Sequence, residues 1–215
     1  MYSPRFNQIA DRAILIEAMR AYSFAILVGP QTGPQSSPEG STPLTATHLP
    51  LVVKDEGPHG LLEGHFARAN RHWQALARHE TLVVFSGPNS YVSPTLYVDP
   101  LSVPTWNYIA VHAYGTLELV EDEPGKEALL NGLMQAHEPA FAEKWGAMPE
   151  TFRRSMLAGI VGFRIPIARI EGKFKISQNR NLAERRNIQA VHAAGSPEQQ
   201  TLAAWMAKLE TNSIT

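Results

Sequence analysis

The sequence predicts a mainly β protein with flanking helices, an α+β fold built around an antiparallel barrel. Three observations lead there. The strand-forming runs are short and bounded by glycine and proline, as in FAILVG (24–29), LLEGHF (61–66) and TLVVFSG (81–87). Most are not separated by helical stretches of the length a parallel crossover needs, which disfavours a doubly wound sheet. Helical periodicity marks a segment near the N-terminus, a short stretch after LLEGHF, a block at about 123–158 and the tail from about 181 to 209. The expectation is a single domain over 1–215, with the middle block as a helical insert and the tail as C-terminal helices.

Each element has its own signal. Residues 11–22 (DRAILIEAMRAY) place Ile14, Leu15, Ala18, Met19 and Tyr22 at helical spacing, with Asp11 as N-cap. FAILVG and TPLTATHLPLVV (42–53) read as two strands joined by a long hairpin loop over 30–41. LLEGHF is a strand that runs into ARANRHWQALARH, a short helix with Trp73, Leu76 and Ala77 on one side and Asn70 as its cap. TLVVFSG is a buried strand ending at Gly87-Pro88. VPTWNYIAVHAYG (103–115) is a strand with an odd alternation. Trp106, Tyr108, His112 and Tyr114 line one face, and Ile109, Val111 and Ala113 line the other. It continues as TLELVE. Helices over 124–145 align Leu129, Leu130, Leu133, Met134 and His137, and a second segment at 149–158 is stopped by Gly159. IVGFRIPIARIEGKFKIS is the last strand region. The tail opens at Ser196 on a capping-box pattern with proline at the first helical position, then sets Leu202, Trp205, Met206 and Leu209 on one face.

Composition removes several function classes. With 19 basic and 20 acidic residues the net charge is −1, so the chain as a whole offers no electrostatic case for nucleic acid or an anionic membrane. There is no cysteine, which excludes disulfides, thiol chemistry and thiolate-held metal. The opening residues MYSPRFNQIADR have neither signal-peptide nor transit-peptide character, and no apolar run is long enough to span a bilayer. A cytoplasmic protein is expected. His48, His65, His72 and His112 fall in or beside strands, but no HExxH spacing or His–carboxylate cluster accompanies them, so no metal site is expected. Neither a GxSxG elbow nor the two glycine-rich nucleotide loops occur.

Four segments carry polar groups in strand or helix-start settings: TATHLPL (45–51), GHFARANRHW (64–73), VPTWNYIAVHAYG and KFKISQNRN (173–181). In the second, a strand meets a helix whose first turn offers unpaired N–H groups and a positive dipole end. Arg68 and Arg71 flank that point, an arrangement suited to phosphate; the alternative is an ordinary cap with solvated arginines. In the last, Lys175, Ser177 and Gln178 match either a phosphate or the edge of a heterocycle, or else form a polar loop before a helix starting near Asn181.

Taken together, ATHLPL, GHFARAN-HW, VPTWNY-AVHAYG and KISQNRN, in this order, resemble the PaiB-like family of FMN-binding negative transcriptional regulators. That family shares the FMN-binding split-barrel fold of pyridoxamine-phosphate oxidases and flavin reductases. The likeness runs from MYSPRF to the C-terminal helix. It implies a homodimer with FMN sites formed between subunits. It implies that the cofactor phosphate lies near His65, Asn70 and Arg71, and the ring edge along Thr45, Thr47 and His48. Lys175, Ser177 and Gln178 would contribute to the flavin pocket, and Trp106, Asn107 and Tyr108 would line it or the dimer seam. The chain departs from the family pattern at Arg71-His72, where Pro-Gln is usual, and at Leu96, where tryptophan is usual.

A flat polarisable ring would explain a strand face of aromatics with polar tips; a buried face whose tips find internal partners is the alternative. Two functions follow from the resemblance. One is a regulator that binds FMN and represses genes, with RNLAERRN (180–187) as the locally basic helix that DNA contact would use. The other is an FMN-dependent oxidoreductase acting on a small molecule, with His48, Tyr108 or His112 available for proton transfer.

Overall fold

A computed structural model describes residues 1–31 and 43–212, so the expected loop over 30–41 falls almost wholly outside the described residues. In chain order the first elements are β1 (Gln8–Ile9), α1 (Arg12–Ala21), β2 (Phe24–Pro30), β3 (Leu44–Pro50), β4 (Val52–Lys54) and β5 (Leu61–Ala67). Next come α2 (His72–Leu76), β6 (Glu80–Val92), β7 (Thr105–Thr116), β8 (Glu118–Val120), α3 (Glu123–His137), α4 (Pro139–Ala147) and α5 (Glu150–Ala158). The chain closes with β9 (Ile160–Pro166), β10 (Arg169–Lys175), α6 (Leu182–Ala193) and α7 (Pro197–Asn212). The strand pairings described are antiparallel, and the fold is α+β.

Two compact units partition these elements. The first takes Met1–Asp11, Ser86–Val111 and Glu171–Thr215; the second takes Arg12–Phe85 and His112–Ile170. In the first unit the strands run in the order β1-β10-β7-β6, with Gln8 opposite Lys173. Its core gathers Phe174, Ile176, Ile188, Leu202, Trp205 and Met206, all buried, and the Phe174 and Trp205 rings meet edge to face at 5.2 Å. The capping box at the start of α7 forms as the sequence pattern requires. Ser196 N–H donates to Gln199 Oε1 (2.9 Å) and Gln199 N–H donates to Ser196 Oγ (3.4 Å). Asn181 caps α6 by accepting from Glu184 N–H at 2.9 Å.

In the second unit β2 and β3 form the expected hairpin, with Leu27 opposite Thr47, and β6 pairs with the other side of β2. A separate four-stranded sheet runs β4-β5-β9-β8. Phe66 and Phe163, 5.0 Å apart and fully buried, sit among Leu62 and Ile165 at its centre. The buried Glu63 carboxylate is held by Arg164 (2.9 Å) and Lys54 (3.1 Å), so its charge is compensated where it is desolvated.

Four boundaries differ from the sequence reading. The helical run at 124–145 breaks at Glu138, because proline at 139 disfavours helical backbone in the residue before it. TLVVFSG does not end at Gly87-Pro88: β6 continues to Val92. The β2–β6 register ends with Ile26 opposite Val84, so on that side Pro88 has no ladder bond to forfeit. TPLTATHLPLVV divides at Leu51 into β3 and β4, which belong to different sheets. The last strand region likewise divides into β9 and β10.

Strand β7 keeps the alternation read from its sequence. Asn107, Ile109, Val111 and Ala113 are buried, while Tyr108, His112 and Tyr114 are half-buried and Trp106 is exposed. The polar-tipped aromatics find partners on that face. Lys173 Nζ lies 5.2 Å from the Tyr108 ring, Arg169 stacks 3.5 Å over the Tyr114 ring, and Trp106 meets Tyr91 edge to face at 6.2 Å.

Candidate functional site

The expected site residues fall into two clusters, one in each unit. In the second unit, Gly29 on β2 is the residue that lets α2 lie close to the β2–β3 hairpin. A Cβ at that position would overlap Leu76 of α2. This close approach brings α2 and the turn before it over β3. Asn70 Nδ2 donates to Thr47 Oγ1 (3.2 Å), and Thr47 Oγ1 lies 3.0 Å from His72 Nδ1. Asn70 Oδ1 in turn accepts from His72 N–H at 3.2 Å. Thr47 Oγ1 receives the amide proton and, having a second lone pair and its own proton, can pair with either tautomer of His72 at Nδ1. The His72 Nε2 is buried and has no hydrogen-bond partner among the described residues.

Asn70 is not the N-cap of α2: it stands one residue before that position and accepts from His72 N–H, and the helix is only five residues long. The N-cap position itself belongs to Arg71, whose side chain is exposed. Arg68 is exposed beside this turn, and its guanidinium donates to Ala158 O (2.8 Å) and Ile160 O (3.0 Å), tying the end of β5 to the α5–β9 junction. Thr45 and Thr47 share one half-buried face of β3. His48 is exposed on the opposite face, stacked on Phe24 at 6.2 Å. His65 is half-buried on β5.

In the first unit, Asn107 and Ser177 exchange two buried hydrogen bonds, Nδ2 to Oγ at 3.0 Å and Oγ to Oδ1 at 3.1 Å. Ser177 has a left-handed backbone, φ 66°, which this pair helps to hold. Gln178 folds back on its own strand end, accepting from Ile176 N–H (2.8 Å) and donating to Phe174 O. Asn107, Ser177 and Gln178 thus brace the turn. Lys175 Nζ donates to Trp106 O (2.8 Å) and to Thr105 Oγ1. Burial, and then the like charge of Lys173, hold its ammonium below the usual lysine range. Beside it a cleft of about 130 Å³ opens between Tyr97, Thr105, Lys175, Asn179 and Arg180. The Arg180 guanidinium stacks 3.7 Å from the centre of the Tyr97 ring.

The basic segment that DNA contact would use is largely engaged within this unit. Lys173 is buried and donates to Tyr2 O (3.0 Å), Arg185 pairs with Glu210 (2.8 Å), and Arg180 lies over Tyr97. Among the described residues no group of three or more His, Asp or Glu side chains is placed to hold a metal ion. No helix among them is long and apolar enough to cross a membrane.

Residues 1–169 match the model of the family described as "Putative FMN-binding domain". The chain belongs to that family. FMN is the cofactor that goes with membership. Over 192 residues the FMN-binding chain is 33% identical to the protease synthase and sporulation protein PAI 2 of Bacillus subtilis, covering 87% of each. It is 30% identical to an uncharacterized protein of Aspergillus fumigatus, covering 67% of this chain and 74% of that one. Solved structures share the fold at low identity. The flavocytochrome Anf3 of Azotobacter vinelandii superposes with a TM-score of 0.57 at 18% identity, over 80% of this chain and 72% of that one. A structure described as "a putative 5-nitroimidazole antibiotic resistance protein" of Bacteroides thetaiotaomicron gives 0.53 at 14%, over 77% and 85%. The family and its split-barrel fold are those the motifs implied.

Two groups of this FMN-binding chain were missed from the sequence. His72 was read only as a rejected metal ligand, and Tyr97 with Arg180 was not read as a site. The signal for Arg180 was within KFKISQNRN, but its stacking partner is far away in sequence.

The histidines set a pH dependence. Burial lowers His65, His72 and His192 from the ordinary 6.5, the Gly29 backbone acting weakly the other way on His72. The unfolded chain protonates these rings first. Stability is therefore level above about pH 6.5 and falls as the pH drops from there through the lowered folded values. His192, 1% exposed with neither ring nitrogen bonded, is the cleanest contributor. Urea midpoints at pH 7.5 and 5.5 should differ, and His192→Leu should reduce the difference by up to about 1.4 kcal/mol per pH unit. A flat profile in the parent chain would contradict this.

Proposed function

We propose that the chain is a PaiB-type protein that seats FMN on the second unit's cluster, works as a homodimer in the cytoplasm, and uses the bound flavin for a regulatory output. The observation that carries the seat is the Thr47–Asn70–His72 network, which fixes two motif segments against each other. The donor set fits FMN. Hydroxyl and amide groups on Thr45, Thr47 and Asn70 match a ring edge or ribityl chain, and exposed Arg71 supplies a cation for the phosphate near His65. The buried His72 Nε2, without a hydrogen-bond partner among the described residues, is a further polar atom beside them. FMN, when bound, supplies electron transfer at its ring. The chain's contribution is orientation. Asn70 bonds the Thr47 hydroxyl that lies against His72, and burial lowers the His72 pKa from its ordinary value.

Exposed Trp106 beside Tyr91 suits a subunit seam over the cofactor, and we place Trp106, Tyr108 and Lys175 on that side. Asn107, Ser177 and Gln178 act there as bracing rather than by direct contact. The regulatory output rests on the similarity to the Bacillus protein, whose name refers to protease synthesis and sporulation.

One preparation tests these points together. The purified chain should be yellow or take up FMN stoichiometrically, and should run as a dimer. Salt-tolerant, sequence-selective retardation of promoter DNA supports regulation by direct binding. Steady-state NADH or NADPH oxidation with FMN present would instead make it an oxidoreductase. A colourless monomer that takes up no FMN at excess overturns the proposal.

A further inference from the structure

A groove of about 570 Å³ lies at the C-terminal end of α2, lined chiefly by Trp73, Gln74, Ala77, Arg78, His79 and Leu119. All of these belong to the second unit. The size falls within the roughly 300–1,000 Å³ of pockets that hold small organic molecules. None of Thr45, Thr47, His65, Asn70 and Arg71, the residues of the proposed FMN seat, lines it.

Two features mark the groove out. The first is apolar surface left uncovered. Leu119 is 38% exposed on β8, the end strand of the four-stranded sheet, and Trp73 and Ala77 are half-buried. Trp73 Nε1 is buried, so any ring surface that it presents to a ligand is carbon. The second feature is unmatched polar capacity. Arg78 and His79 are exposed, and neither side chain has a hydrogen-bond or ion-pair partner among the described residues. No Asp or Glu lines the groove. An exposed arginine alone is ordinary surface. Set against uncovered leucine and indole, it matches a molecule that is apolar at one end and anionic at the other. The carbonyl end of α2 opposes this little: Trp73 O and Ala75 O accept from Ala77 N–H and Arg78 N–H at 3.0 Å each, and a five-residue helix sums few peptide dipoles.

We propose that this groove binds an aromatic carboxylate, its ring laid against Leu119 and Trp73 and its carboxylate paired with the Arg78 guanidinium. A guanidinium can take both carboxylate oxygens at once, and His79 supplies a second donor beside it. The ligand is separate from the cofactor, and the inference does not rest on the FMN seat described above.

Calorimetric titration of the full chain, with 2-naphthoate as the probe, tests it. The expected result is saturable binding of one naphthoate per chain. The neutral 2-naphthalenemethanol, which keeps the ring and lacks the charge, should bind at least tenfold more weakly. Arg78→Gln should weaken naphthoate binding tenfold or more. Leu119→Glu, which sets a carboxylate into the groove, should weaken it by at least as much. Both positions are exposed, and melting followed by circular dichroism checks that both variants fold. FMN affinity, read by flavin fluorescence, should be unchanged in both. No saturable heat, binding indifferent to either substitution, or equal binding of acid and alcohol overturns the proposal. So does displacement of naphthoate by FMN with both variants weakening FMN, since the groove would then be part of the cofactor's own seat. Asn70→Ala separates the two sites: it should weaken FMN and leave naphthoate binding unchanged.

Discussion

Gly115→Ala is expected to destabilise the chain by about 3 kcal/mol, near the upper end of what overpacking costs. A Cβ on Gly115 would overlap the Pro166 carbonyl oxygen and come within 2.7 Å of Ile165 Cγ2. The obstruction is backbone. It cannot rotate away as a flexible side chain could, and neighbouring bonds pin the same segment: Ala168 N–H donates to Tyr114 O (2.8 Å) and Ile167 N–H to Gly60 O (3.1 Å). Relief would need β7 to lift away from the end of β9. For a protein of this size the melting temperature should fall by roughly 6–12 °C, read by calorimetry or circular dichroism. An unchanged melting temperature would show that β7 and the 165–168 segment can separate without cost. The sequence marked Gly115 as a segment breaker that the strand runs past as TLELVE. In the structure it is instead a point of close backbone approach inside a strand that continues to Thr116.

Asn70→Ala is expected to lower FMN affinity by one to two orders of magnitude. The amide is the link that holds Thr47 Oγ1 and the His72 N–H in one arrangement, at 3.2 Å each. Removing it frees the hydroxyl to rotate and leaves His72 N–H without its Asn70 acceptor. The cofactor also loses a donor worth roughly 1.5–3 kcal/mol if it faces a charged group. Thr47→Val tests the same network from the strand side. It keeps the side-chain shape while removing the hydroxyl that His72 needs, so it should weaken FMN binding with little change in melting temperature. Titration by flavin fluorescence quenching measures both. Wild-type affinity in both variants, with folding intact, would mean that this network is structural and that FMN sits elsewhere.

The two clusters show how far residues alone could lead. Local chemistry was readable wherever one element contains its own signal. The Ser196–Gln199 capping box, the Asn181 cap, the two-residue period of β7 and the helices near 123–158 all depend on neighbours within a few residues. The family was equally readable, because its motifs are contiguous. Boundaries failed where a local breaker did not end its strand, as at Gly87-Pro88, through which β6 continues to Val92.

What the sequence by itself determined was the strand-and-helix inventory, the absence of thiol chemistry and the set of polar segments from which any site must be built. The tertiary structure decided which of those polar groups remain available. Thr47 meets Asn70 and His72 across more than twenty intervening positions only because Gly29 lets α2 settle on the hairpin. Asn107 and Ser177, seventy positions apart, satisfy each other and so become bracing, while the buried Tyr97 hydroxyl has no hydrogen-bond partner among the described residues. The physical reason is that hydrogen-bonding capacity is finite. Whether a side chain has any left for a ligand depends on partners brought to it by sheet register and close packing, and these are long-range quantities that no local pattern carries.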